Sequence, residues 1–345
     1  THSPGPRPPT RSCPTPPVNE PQTRDTSAAS RASVSAGPYG LGMTVSPTFD
    51  MEVRAAIRVA LRGSLNVVRL GADNDQVGWL WAPATGSAAA SERQSLRCFP
   101  YVINELGADA NAGTNLALSQ SREMLADSAG SLTAIGELIA VDDPSVRRSS
   151  IGPLARACAE KAATAFWVME GLDENDRLRR ALIVELAGLD RLLKLLPATR
   201  SGGRVGDVES ARDEFVRIGK TTFSSCEKGS RGWTIDGHSM PSLTDRVQSV
   251  TSLTSYAELN VFTHPTGHVM TAHSRVTRAG QGQVVTAPES SVHDEGRLCE
   301  PAVLAFARAL EVAAAYMGKD ARAELTEWAG SIAGLWSRWC GANGC

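Results

Sequence analysis

Tyr256, Asn260 and His264 follow one another at four-residue spacing in SYAELNVFTHPTGH. On a helix that spacing lines up a phenol, an amide and an imidazole along one face. Pro265 disfavours helical backbone at His264, so the helix is expected to end there. At a helix C-terminus the dipole favours the imidazolium, which suits a general acid or a cation that holds an anion. The alternative is structural: His264 bonds the last carbonyls and Asn260 satisfies neighbouring backbone. A second spaced pair is Arg156 with Glu160, four residues apart in PLARACAEKAATAFWVME. An intrahelical ion pair of a few tenths of a kcal/mol, about 0.3, is its plainest account. The rest of that segment is apolar, so a partly buried pair would need further partners. Brought together, Tyr256, Asn260, His264, Arg156 and Glu160 would supply acid–base groups and an anion site without redox capacity. That favours hydrolysis, isomerisation or cyclisation, and no cofactor is expected.

Metal chemistry finds less support. His264, His268 and His273 are good ligand types for zinc or iron, but Pro265 and Gly267 forbid a regular HxxxH helix, and the nearest acids are Glu258 and Glu289. Asp142-Asp143-Pro144-Ser145-Val146 starts like DDxxD but lacks the third acid and reads as a turn. No P-loop, GxGxxG, GxSxG or HExxH is present. The seven cysteines are widely and irregularly spaced with no CxxC pair, which removes zinc-ribbon and thioredoxin motifs. A reducing cytoplasm is the simplest context for them.

The 345 residues carry a formal net charge of -2, so the chain lacks the basic excess that marks a simple nucleic-acid binder. Arginine outnumbers lysine thirty to five, but the basic positions are interleaved with acids. Eight of the 19 prolines fall at or before residue 21, and residues 1–46 are Pro, Ser, Thr, Ala and Gly with little to bury. This stretch reads as a disordered arm without the apolar core of a signal peptide. No uncharged apolar run approaches the ~20 residues that span a bilayer, so no membrane association is expected.

Residues 47–345 read as a single helical domain. Val53, Ile57, Leu61, Leu65 and Val68 line one face of a first helix capped by Thr48 or Asp50. Residues 71–91 read as a loop anchored by Trp79 and Trp81, and a short helix from Ser91 is interrupted at Pro100. Thr114 can cap a long helix to about Val141. Helices follow at 153–170, with Pro153 in its first turn, and at 174–196. After an SGGRVG link come a helix at 207–223, a loop at 224–242 and a helix at 243–263. Turn residues within 268–287 suggest a small hairpin. Helices at 300–317 and 321–339 close the chain. The sum is an all-α, multi-helix bundle of about eight helices, with at most one hairpin.

The stretches SSIGPLARACAEKAATAFWVME, RLRRALIVELAGLDRLL, PSLTDR and SYAELNVFTHP resemble HEPN-like helical proteins of actinobacteria. The resemblance covers roughly residues 149–268. It rests on an Arg-Ala-x-x-Glu helix ending in an aromatic, an Arg-rich amphipathic helix and a Tyr-x-x-Leu-Ser-x-x-x-His step. Arg156, Glu160, Tyr256 and His264 match, and Asn260 stands where the pattern has Ser. The resemblance implies a helical bundle with those residues at a polar centre, and RNA or nucleotide as partner or substrate. The family's nuclease motif is an Arg and a His separated by four to six residues on one helix. Here Ala257, Glu258 and Leu259 occupy that place, and Arg231 with His238 has the spacing only within a Gly-flanked segment.

Three functional classes stay open at this level, and with them whether the chain is an enzyme. They are a HEPN-like protein binding or processing RNA or nucleotide, a non-redox enzyme of specialised metabolism holding a small-molecule substrate in the bundle, and a non-catalytic regulatory or scaffold protein. A homodimer is compatible with each.

Overall fold

The computed structural model describes residues 47–69, 83–94, 116–196, 204–251, 259, 274–279, 283–288 and 292–343. The arm at 1–46, Trp79, Trp81 and the interruption at Pro100 lie outside the described residues. What is described is mostly helical: α1 (Pro47–Arg69), α2 (Ala88–Gln94), α3 (Leu116–Ile139), α4 (Pro144–Met169), α5 (Glu174–Leu195), α6 (Val205–Thr222), α7 (Leu243–Val250), α8 (Val292–Tyr316) and α9 (Arg322–Asn343). The all-α bundle expected from periodicity is the observed class.

Two helices begin earlier than expected, for one physical reason. Pro153 lies inside α4 instead of in its first turn, and Pro301 lies inside α8, which begins at Val292. A proline is tolerated at the first helical position because its missing N–H is unsatisfied there anyway. In α4 that position belongs to Pro144, with the Asp143 carbonyl accepting from Arg147 N–H at 3.2 Å. The interior prolines each remove one rung and leave the helix standing, because α4 and α8 are packed against each other over much of their length.

The segment read as a loop at 224–242 is a three-stranded antiparallel sheet, β1 (Cys226–Gly229), β2 (Gly232–Ile235) and β3 (His238–Ser239). Asp236 and Gly237 have φ of 49° and 75°, the left-handed pair that a two-residue type I′ hairpin turn demands. Trp233 and Ile235 alternate inward from β2 onto the small core built by α5 and α6. The hairpin expected near 268–287 is present as β4 (Ser274–Ala279) paired with β5 (Gln283–Pro288). Two sheets therefore replace the single hairpin expected.

The helix expected at 243–263 stops at Val250. Thr251 adopts extended backbone and its hydroxyl bonds the Val247 carbonyl at 2.8 Å, the competition with the helix ladder that Thr side chains offer.

The main core is formed by α1, α3, α4, α8 and α9. α8 is its axis: its Ala302, Ala305, Phe306, Ala309, Leu310 and Ala313 are almost wholly buried. α9 folds back against α8 after a turn that uses Gly318 at φ 73°.

Candidate functional site

Arg156 and Glu160 sit on α4 and pair with each other, Nε donating to Oε1 at 2.5 Å. Their side chains keep 21% and 25% of their surface exposed, so this is a half-buried intrahelical pair. Tyr256, Asn260 and His264 lie outside the described residues, as do His268 and His273. Among the described residues no group of three or more His, Cys, Asp or Glu is placed to hold a metal ion.

Two buried ionic nodes escaped the sequence reading. In the first, the Arg147 Nε donates to Glu295 Oε1 and Oε2 at 3.0 and 3.2 Å, and Nη1 donates to the Val141 carbonyl at 2.6 Å. Both side chains are essentially out of water. The Trp339 ring lies 5.8 Å from the Arg147 guanidinium and 5.2 Å from that of Arg54, and its N–H donates to Asp50 Oδ1 at 2.5 Å. In the second node Glu92 Oε1 accepts from Arg177 Nε at 2.9 Å, and Oε2 accepts from the Tyr316 hydroxyl at 2.7 Å. The Arg177 guanidinium also donates to the Gly171 carbonyl and stacks 5.0 Å from the Tyr316 ring. Each charge meets its opposite on another element, so the nodes tie α1, α4, α8 and α9 at one place and α2, α5 and α8 at the other. No sequence motif announces them, because the partners lie 148 and 85 residues apart.

The buried thiols are held protonated. Burial pushes Cys299 well above the ordinary thiol range, with Glu295 and Cys158 adding to the effect, and burial does the same to Cys158. They act as small core hydrophobes; a nucleophile needs the thiolate.

The concave surface that stands out is a groove of about 1070 Å³ between α8 and α9. Its floor is apolar: Val303 and Ala307 on α8, Leu325, Ile332 and Trp336 on α9, with the Cys299 thiol beside them. Gly296 admits the indole, since a Cβ there would stand 2.5 Å from Trp336 Cδ1. The α9 wall consists of Thr326, Ala329, Gly330, Ala333, Ser337 and Gly341, none larger than threonine. Charged groups mark the ends: Arg297 and Glu300 at one, Arg308, Glu311 and Arg322 at the other. Glu311 accepts from Arg308 at 2.7 Å and from Arg322 at 2.5 Å. Burial raises its pKa, but these hydrogen bonds outweigh it and hold the carboxyl below its usual range.

Comparison with protein-family models, curated proteins and solved structures finds no match to this chain. The geometry alone therefore carries the functional reading. Among the described residues no helix is long and apolar enough to cross a membrane.

The arrangement offers an apolar trough with small walls and polar ends. The interior ionic groups are engaged with one another and the buried thiols are inert. The groove had a signal in the sequence, the Gly330-Ser331-Ile332-Ala333-Gly334 spacing, which amphipathic periodicity alone passes over.

Proposed function

We propose that the chain is a non-catalytic regulatory or scaffold protein whose α8–α9 groove receives an amphipathic α-helix. The observation that carries this reading is the shape of the groove wall. From Arg322 to Gly341 it extends for about 28 Å at 1.5 Å per residue, longer than a drug-sized molecule needs and suited to several helical turns. Helix-in-groove recognition uses such a trough, with apolar anchors at i, i+3, i+4 and i+7 entering the floor. The small residues of α9 let a third helix come near the 8–10 Å lower range of helix spacing.

A photo-crosslinking residue at Ser337 tests this in the intact cell, with Leu172, 92% exposed in the α4–α5 turn, as the control position. Adducts at 337 and not at 172 that map to helical protein segments are expected. Adducts of small-molecule mass alone, or none, would sink the reading.

A second reading keeps RNA or nucleotide as the partner, through the HEPN-like resemblance. What favours it is that α7, which leads toward Tyr256, Asn260 and His264, packs on α4, the helix of Arg156 and Glu160. His264→Ala should then abolish an activity on RNA, and RNA left unchanged by the intact protein removes this reading.

A further inference from the structure

Gln120 of α3 and Glu185 of α5 meet where the two cores of the fold adjoin. Leu116 and Ala117, at the start of α3, belong to the small core with Leu182, Leu186 and Ile235. Leu125, Ala129 and Leu132, further along α3, belong to the main core. Between them the Gln120 Nε2 donates to Glu185 Oε2 at 2.5 Å. Two features set this contact apart. The half-buried carboxyl meets a neutral amide, whereas the buried Glu92 and Glu295 each meet an arginine. The other end of the amide, Gln120 Oε1, is buried and has no donor among the described residues. An amide both donates and accepts, but an ionised carboxylate only accepts. The ionised pair therefore makes one hydrogen bond and leaves the amide oxygen unpaired and out of water. A protonated carboxyl owns the O–H that this oxygen lacks. One proton taken from solvent gives a reciprocal pair, amide N–H to carboxyl C=O and carboxyl O–H to amide Oε1, with no charge left to desolvate.

We propose that Glu185 and Gln120 are a proton-operated latch between the two cores, closed as a reciprocal acid–amide pair when Glu185 binds a proton and loosened when it ionises. The surroundings favour the neutral form. Burial pushes the Glu185 pKa up, the Gln120 N–H draws it part of the way back, and the charge of Glu123 on α3 pushes it up again. Among the described residues Glu123 is the one charge that acts on Glu185. The cations of the elements packed on α5 are engaged elsewhere. Lys161 of α4 pairs with Asp127 of α3, and Arg156 with Glu160 within α4. Within α6, Arg212 pairs with Asp213 and Arg217 with Glu214, while Lys220 acts on Cys226. Lys228 of β1 pairs with Asp190, and Arg122 of α3 is engaged as well. On α5 itself Arg179 and Arg180 pair with Asp176, and Arg191 and Lys194 stand on other faces at 3.6 residues per turn. A contact serving only to hold the cores together would be better made by a lysine or arginine at 120, which binds the carboxylate without an idle acceptor. The latch does not depend on what the α8–α9 groove receives. Its sign follows from the raised folded-state pKa: the stabilisation is complete below the unfolded value of about 4.3 and fades as the pH climbs through the folded one.

Hydrogen–deuterium exchange on the full chain between pH 4 and pH 7, corrected for the pH dependence of free-peptide exchange, gives the test. In the wild type the amides of α5 around Glu185 and of the first turns of α3 should lose protection as the pH rises. At pH 7 they should exchange about twofold or more faster than in E185Q. E185Q carries a neutral amide at every pH, so its protection should stay flat. E123Q removes the like charge and should move the wild-type midpoint to lower pH. Q120K puts a cation in place of the amide and should reverse the trend, with protection gained as Glu185 ionises. Isotope-edited infrared spectra report the pair itself. At pH 5 the wild type should show a protonated carboxyl stretch that is absent from E185Q and shifts to higher frequency in Q120L, where the amide no longer donates to it. Protection that is flat with pH in the wild type, an E185Q that follows the wild type, or a carboxyl stretch indifferent to residue 120 overturns the proposal.

Discussion

Three tryptophans of α9 meet different surroundings within 12 residues. Trp328 donates its N–H to the Ala60 carbonyl at 3.0 Å and Trp339 donates to Asp50, both on α1. Trp336, on the side turned toward the α8 groove, has no acceptor among the described residues. The two inner indoles of α9 thus each have a named acceptor, while the groove-side indole N–H has none among the described residues. Buried polar groups are hydrogen-bonded in the great majority of cases. The groove-side indole departs from this, and the two inner indoles of the same helix obey it.

The sharpest way to break the contrast is to damage the satisfied side. Arg147→Met leaves the Glu295 carboxylate, fully buried, without its guanidinium, and also removes the cation from the Trp339 ring. Breaking such a pair costs about 3–5 kcal/mol, which a urea unfolding midpoint would show as a large fall. Arg147→Met/Glu295→Leu should regain most of that loss, since a buried pair replaced by apolar groups is often neutral. A single variant as stable as wild type would mean that the node is solvated and that the contrast between the two sides is false.

Next in size is the comparison within α9. Trp339→Phe and Trp336→Phe delete the same ring volume. Only the first also deletes a hydrogen bond to a carboxylate and weakens two arginine stacks, so it should cost about 1–3 kcal/mol more than the second. Equal losses from the two variants would show that packing alone matters and that the orphan N–H carries no information.

These pairs explain what the sequence could and could not disclose. Helical periodicity is local, so α3, α5 and α6 were legible to within a few residues from apolar spacing and capping. Pro153 misled because a first-turn proline and an interior proline look alike without knowing what packs on the helix. Asp236-Gly237 between Trp233-Thr234-Ile235 and His238 was a legible hairpin signal that a loop-like composition concealed. The ionic nodes were not legible, because nothing local marks Arg147 as the partner of Glu295 or Arg177 as the partner of Glu92. Of the residues expected to form a site, Arg156 and Glu160 are paired as their spacing implied. The groove depends on small residues, whose effect is to leave space, and hydrophobic patterning does not register empty space.

Glu185 supplies the finest test, because it is a carboxylate intermediate between the two regions. It lies half-buried on α5 and accepts from the Gln120 amide at 2.5 Å in place of a cation. Burial raises its pKa, the Gln120 hydrogen bond offsets part of that and the neighbouring Glu123 adds to it, for a net upward shift. A carboxyl whose folded-state pKa is raised contributes its full stability below its unfolded value, about 4.3 for Glu, and loses it as the pH climbs through the folded value. Glu185→Gln keeps an amide oxygen to accept from Gln120 and carries no charge to desolvate. It should therefore be more stable than wild type at pH 7 by about 0.5 kcal/mol, the scale of substitutions away from packed cores, with the advantage gone at pH 4. Urea unfolding at the two pH values reads the difference. An advantage that grew toward acid would require Glu185 to be stabilised as a carboxylate, and a neutral amide partner would then serve the fold as well as the arginines of the two nodes do.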